Sequence, residues 1–193
     1  MIYSIAKNVV FFLLNIVYAV DVVGYDNFPQ NGSAIICANH KSFADPLVIA
    51  INLKRRLHFI AKAEIFKGKF LTWFFRSIGC IPVDRSNVAM DSFKESMKHL
   101  KAGAIIVIFA QATRRKAVDE KDAKAGVALF SVKSGAPVVP VGIEGDYKLF
   151  SRITINIGEP LDFSEYKEKR IRTPELNSIT EEIMKRVKVL AGE

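Results

Sequence analysis

Six short apolar runs, each closed by turn residues and separated by stretches of helical spacing, most constrain what this chain can fold into. The runs are 33–38, 57–61, 80–83, 104–109, 138–143 and 153–157. Runs this short, bounded by turn residues, suit β-strands. Between them, 46–53, 69–77, 88–101 and 123–134 carry helical patterns. The alternation predicts an α/β fold: a single layered domain with a mainly parallel sheet flanked by helices, the site lying beyond the strand C-terminal ends. Near the C-terminus, Leu176, Ile179, Ile183, Val187 and Leu190 recur at intervals of three and four, which describes an amphipathic helix covering the core. There is no internal repeat, low-complexity tract or Gly/Ser linker, and 193 residues, 50% of them hydrophobic, enclose one sizeable core rather than two.

Residues 2–20 form the candidate membrane segment. Their apolar run, 9–20, is broken by Asn15 and falls short of the roughly 20 apolar residues a bilayer crossing needs. A secretory signal is disfavoured by a weakly positive start and by the lack of a small-x-small cleavage site before Asp21. The expectation is therefore an apolar helix over 1–21 that lies on or dips into one leaflet at the cytoplasmic face of a membrane, peripheral or monotopic, followed by one domain over 22–193. The alternative is a hydrophobic helix packed on the domain's own core.

The net charge of +8 favours a partner carrying phosphate. Residues 54–85 hold eight of the basic side chains (Lys54, Arg55, Arg56, Lys62, Lys67, Lys69, Arg76 and Arg85) against only Glu64 and Asp84. Phe66, Phe70, Trp73, Phe74 and Phe75 are interleaved with them, a mixture that suits an anionic membrane surface. A nucleic-acid partner ranks low, because no recognised nucleic-acid motif accompanies the charge. Cys37 and Cys80 sit in apolar runs without metal-ligand spacing, which suits buried free thiols in a reducing cytosol, and no metal is expected.

The loop after the first core strand reads Asn39-His40-Lys41-Ser42-Phe43-Ala44-Asp45-Pro46. A histidine with a carboxylate is the minimal apparatus for removing a proton from a weak hydroxyl nucleophile. On a continuous helix, positions five apart lie about 140° around the axis, so the two side chains meet only if His40 is in the loop and Asp45 at the helix start. Asp45 before Pro46 suits a helix N-cap followed by the favoured first-position proline. Without further context, Asp45 would merely cap a helix and His40 would be an ordinary loop residue. Ser42, two residues from His40, suits a turn hydrogen bond better than a nucleophile. His58, in an apolar strand, and His99, on the polar side of a Lys-rich helix, read as structural or solvated.

These segments together resemble the glycerolipid acyltransferase family, which includes the 1-acylglycerol-3-phosphate (lysophosphatidic acid) acyltransferases. Asn39, His40, Ser42 and Asp45 match its N-H-x-S-x-x-D block. Gly79, Ile81, Pro82, Val83, Asp84 and Arg85 are similar to G-x-I-P-V-D-R, and Val139-Pro140-Val141 to V-P-V. Order and intervals agree over roughly residues 22 to 160. The third block departs: F-P-E-G-T-R stands here as Phe109-Ala110-Gln111-Ala112-Thr113-Arg114. The resemblance implies a transferase of phospholipid biosynthesis, moving a fatty acyl group from acyl-CoA or acyl carrier protein to a lysophospholipid hydroxyl to give phosphatidic acid. It implies no cofactor beyond that donor substrate. His40 would be the base and Asp45 its partner, while Asn39, Ser42, Arg85, Gln111, Thr113, Arg114 and Lys124 would line the substrate site. Arg85, Arg114 and Lys124 would face the acceptor phosphate, which a guanidinium can grip through two oxygens. The altered block leaves open an acyltransferase with a different acceptor, or a catalytically silent lipid-binding module of the same fold.

Overall fold

The computed structural model describes residues 11–12, 14, 16–83, 89–109, 117–169 and 171–193. Among them seven strands form one sheet: β1 (Ala19–Val23), β2 (Ala34–Ala38), β3 (Leu57–Lys62), β4 (Cys80–Val83), β5 (Ile105–Phe109), β6 (Val138–Glu144) and β7 (Arg152–Ile157). The helices are α1 (Asp45–Asn52), α2 (Gly68–Ser77), α3 (Ala89–Lys101), α4 (Ala117–Ser134) and α5 (Thr173–Leu190). The sheet order is β1-β7-β6-β2-β5-β3-β4, and every neighbouring pair is parallel except β6 and β7. The mainly parallel α/β layering is thus present, with β2 at the sheet's centre.

Burial explains the continuous apolar runs. All five residues of β2 are buried, and successive side chains go to opposite faces. Ile35 and Cys37 join a cluster with Leu100 of α3, Val127 of α4 and Ile183 and Val187 of α5. Ala34, Ile36 and Ala38 join Val48 and Ile49 of α1 on the other side. The C-terminal helix covers the core as its spacing predicts, burying Ile179, Ile183, Met184 and Val187. Its end lies so close to β6 that a Cβ at Gly142 would stand 2.1 Å from the Leu190 carbonyl carbon, a contact only glycine permits. The Asn156 side chain donates to that same carbonyl at 2.9 Å.

Two expectations change. The expected membrane-lying helix over 1–21, of which residues 1–10, 13 and 15 lie outside the described residues, ends before Ala19. Residues 11, 12, 14, 16 and 17 are helical, but Leu14 and Tyr18 pack against the protein core, and the chain enters the sheet at Ala19. Strand β1 crosses the division placed between residues 21 and 22 and pairs in parallel with β7 from Ala19↔Arg152 to Val23↔Asn156. Its Val-Asp-Val alternation is a period-two signal masked by the apolar run before it. Among the described residues no helix is long and apolar enough to cross a membrane. Helix α4 begins at Ala117 rather than 123, through a first half, Ala-Val-Asp-Glu-Lys-Asp, whose charges hide its periodicity.

Candidate active site

Strand β2 ends at Ala38, and the chain crosses the C-terminal edge of the sheet before starting α1. Asn39 is fully buried and fastens this crossing to β6. Its amide donates to the Ile143 carbonyl at 3.0 Å, and its carbonyl oxygen accepts the Ile143 N–H at 2.7 Å. Both polar atoms of Asn39 thus engage one backbone unit, extending the β2–β6 pairing by one step. That gives Asn39 a structural place beside the substrate-lining role the resemblance implies.

The next residue, His40, points its Nδ1 at Asp45 Oδ2, 2.7 Å away. Its ring stacks on Phe109 at the end of β5, with centroids 4.4 Å apart and an interplanar angle of 28°. The pairing of Ala38 with Phe109 brings the end of β5 alongside this loop. The His40 side chain is 20% exposed and that of Asp45 0%. With the carboxylate facing it, Nδ1 is assigned the proton, which leaves Nε2 as the ring's lone-pair acceptor. Nε2 has no hydrogen-bond partner among the described residues.

Asp45 differs from the N-cap expected of it. Ala44 occupies the cap position without a side-chain hydrogen bond, and Asp45 is the first helical residue, followed by Pro46. Side chains on a helix lean toward its N-terminus, so the carboxylate lies back over the preceding loop. There Oδ2 accepts the N–H of Lys41 at 2.7 Å and of Ser42 at 2.8 Å, besides His40. Oδ1 accepts the Tyr147 hydroxyl. Four donors therefore surround a carboxylate with no water contact, the compensation that a buried charge requires. Ser42 Oγ accepts the Ala44 N–H at 3.2 Å, the local turn bond that its position suggests.

Of the other sequence-derived site residues, Arg85, Gln111, Thr113 and Arg114 lie outside the described residues, and Lys124 falls within α4. Tyr147 was not singled out from the sequence, since it stands 102 positions after Asp45 and no local pattern links them. His58 and His99 also meet, with ring centroids 4.1 Å apart. Burial pushes the Cys37 thiol up to about 12 and Cys80 to about 11, and both are free. Both thiols are therefore poor nucleophiles at neutral pH. Among the described residues no cluster of His, Cys, Asp or Glu is placed to hold a metal ion.

An α/β sheet with a His–carboxylate pair at the C-terminal end of its central strand, and the blocks that surround it, define a family. The family model described as acyltransferase matches residues 19–144, and the chain belongs to that acyltransferase family. It is similar to the 1-acyl-sn-glycerol-3-phosphate acyltransferase of Bacillus subtilis, at 29% identity over 99% of this chain and 98% of the relative. The enzyme of the same name from Streptococcus pneumoniae is 28% identical over 74% of this chain, which spans 56% of that relative's length. Among solved structures, the 1-acyl-sn-glycerophosphate (LPA) acyltransferase PlsC from Thermotoga maritima matches all of this chain and 79% of its own, with a TM-score of 0.67 and 26% identity.

Proposed function

We propose that this acyltransferase esterifies the free hydroxyl of a lysophospholipid, with 1-acylglycerol-3-phosphate as acceptor and phosphatidic acid as product. The observation that carries the reading is the His40–Asp45 pair, with Nδ1 held by a buried carboxylate and Nε2 unengaged among the described residues. Nε2 takes the acceptor hydroxyl proton as the oxygen attacks the thioester carbonyl. Asp45 holds the ring and stabilises the imidazolium that forms. Collapse of the tetrahedral intermediate breaks the C–S bond, and the departing sulfur takes the proton from His40. An ester and a free thiol result, and no acyl-enzyme is needed.

The donor is acyl-CoA or acyl carrier protein. Arg85, Arg114 and Lys124 bind the acceptor phosphate, in keeping with the family blocks to which they belong or lie close. Catalysis occurs on an anionic membrane surface. Helix α2 supports this, since it buries none of its residues, exposes Phe70, Leu71 and Trp73, and carries Lys69 and Arg76. Phe43, between His40 and Asp45, is 90% exposed, which places an apolar side chain beside the reacting groups. Such a mixture of apolar and basic groups suits the headgroup boundary.

The test is acyl transfer by the purified protein, with acyl-CoA and acyl carrier protein donors offered to a panel of lysophospholipids and products read by mass. Phosphatidic acid formed from lysophosphatidic acid is the expected result. Transfer to another acceptor alone would reassign the substrate, and no transfer to any acceptor, with lipid binding intact, would replace the enzyme by a silent lipid-binding module. Flotation with anionic vesicles should bring the protein up, and replacing Phe70 and Trp73 by Ser should leave it behind. Failure of the unaltered protein to float with any vesicle would remove the membrane from the reading.

A further inference from the structure

The loop between β6 and β7 is bent by two non-glycine residues in the left-handed region, Tyr147 at φ 52° and Phe150 at φ 61°. Side chains other than glycine rarely adopt that conformation unless their surroundings enforce it. Here the surroundings are specific. The Phe150 N–H donates to the Val17 carbonyl at 2.8 Å and the Ala19 N–H to that of Ser151 at 3.1 Å, lacing the loop to the chain entering β1. The Tyr147 ring meets Tyr18 edge-on, with centroids 5.5 Å apart and planes at 80°. Its hydroxyl then ends on Asp45 Oδ1.

We infer that Tyr147 is a positioning residue for the reaction proposed above: its hydroxyl fixes the rotation of the Asp45 carboxylate so that Oδ2 meets His40 Nδ1. The two oxygens are served unequally. Among the described residues Oδ2 has three donors, from His40, Lys41 and Ser42, whereas Oδ1 has the phenol alone. A carboxylate oxygen left bare in a fully buried position pulls the group toward any rotation that finds it a donor. Without the phenol, that rotation takes Oδ2 off the imidazole. The titratable groups facing Tyr147 are Asp45 and, across the ring contact, Tyr18, while the neighbouring Asp146 and Lys148 pair with each other at 3.0 Å in solvent. Burial, followed by the Asp45 hydrogen bond, raises the phenol far above its usual range, so it remains a donor throughout the working pH range and never acts as the base.

The inference rests on the acyltransfer reading for its kinetic arm but not for its spectroscopic one. Tyr147→Phe removes one oxygen and keeps the ring against Tyr18. Turnover should fall about 10-fold or more, with the Michaelis constant for the acceptor changed less than about twofold, the signature of a group that acts only on the reacting geometry. In ¹H–¹⁵N spectra of the full chain at fixed pH, the downfield His40 Nδ1–H resonance should move upfield in the Phe variant, because Oδ2 has then turned off the ring. Replacing Tyr147 by 3-fluorotyrosine, which keeps the hydroxyl donor to Asp45, should leave that resonance close to its place in the unaltered chain and keep most of the turnover. A His40 Nδ1–H resonance unchanged in the Phe variant overturns the inference, even if thermal stability falls, since lost stability alone would mean a merely structural tyrosine. Absence of acyl transfer by the unaltered protein would sink the functional reading instead and leave the Nδ1–H resonance to decide this one.

Discussion

His40 and His58 occupy opposite edges of the same sheet and show how partners, not residue type, set what an imidazole can do. His40 follows the C-terminal end of β2 and faces the buried Asp45 carboxylate. His58 stands near the start of β3, its ring tilted against that of His99 from the last turn of α3, with Arg56 close by. The first ring has an anion to balance a positive charge. The second has a second imidazole and a guanidinium, and burial together with these neighbours lowers His58 from 6.5 to about 4. A base that must accept a proton during turnover needs the first environment. The second keeps its ring neutral at ordinary pH.

The largest effect that sharpens this contrast is expected from removing each ring. His40→Ala should lower turnover at least about 100-fold, the scale of lost acid–base catalysis, with its melting temperature little changed. His99→Asn should leave turnover nearly unaltered. Equal losses in the two variants, measured with a single acceptor at saturating donor, would erase the distinction between the edges.

Asp45 separates charge from shape. Asp45→Asn keeps one carbonyl oxygen for the Lys41 and Ser42 amides and can turn its NH₂ toward Tyr147, whose hydroxyl can accept. The fold should survive, while turnover falls roughly 100-fold or more as the imidazolium loses its counter-charge. Asp45→Ala removes every acceptor from four donors. Each one left buried without water costs about 1–3 kcal/mol, so this variant should also lose much of its stability. An Ala variant as stable as the Asn variant would mean that water reaches the donors.

The same two regions show why some of the molecule was legible in the sequence and some was not. The strands β2, β5 and β6 announce themselves because burial on both faces leaves continuous apolar runs, and β7 because Ile153, Ile155 and Ile157 are buried at a period of two. The His40–Asp45 pair is legible because its members are five apart and local chain geometry decides whether they can meet. Asn39 is legible as a family position, but its bond to Ile143 depends on the register of β6, 104 positions away. Tyr147 and the His58–His99 contact are long-range pairs without periodicity or spacing, so only the folded sheet brings them together. Strand β1 fails for a different reason: its outer position and short alternation resemble the end of the apolar stretch before it.

The smallest effect tests the other edge of the sheet by pH. His58 is held at about 4 in the folded chain against an ordinary value of 6.5, so below pH 6.5 the unfolded chain binds the extra proton more readily than the folded one. The contribution of His58 to stability is therefore fully present above about 6.5, declines as the pH falls, and has gone by about 4. Carboxylates titrate across the lower part of this window too, so the informative quantity is a difference between proteins. The melting temperature of the unaltered chain should fall more steeply from pH 6.5 to 4 than that of His58→Asn, whose side chain cannot take up the proton. The difference should amount to a few degrees at most, because His58 is only partly buried and solvent screens its neighbours. Parallel slopes would show that His58 carries its proton as easily folded as unfolded, and the contrast with His40 would then rest on the partner carboxylate alone.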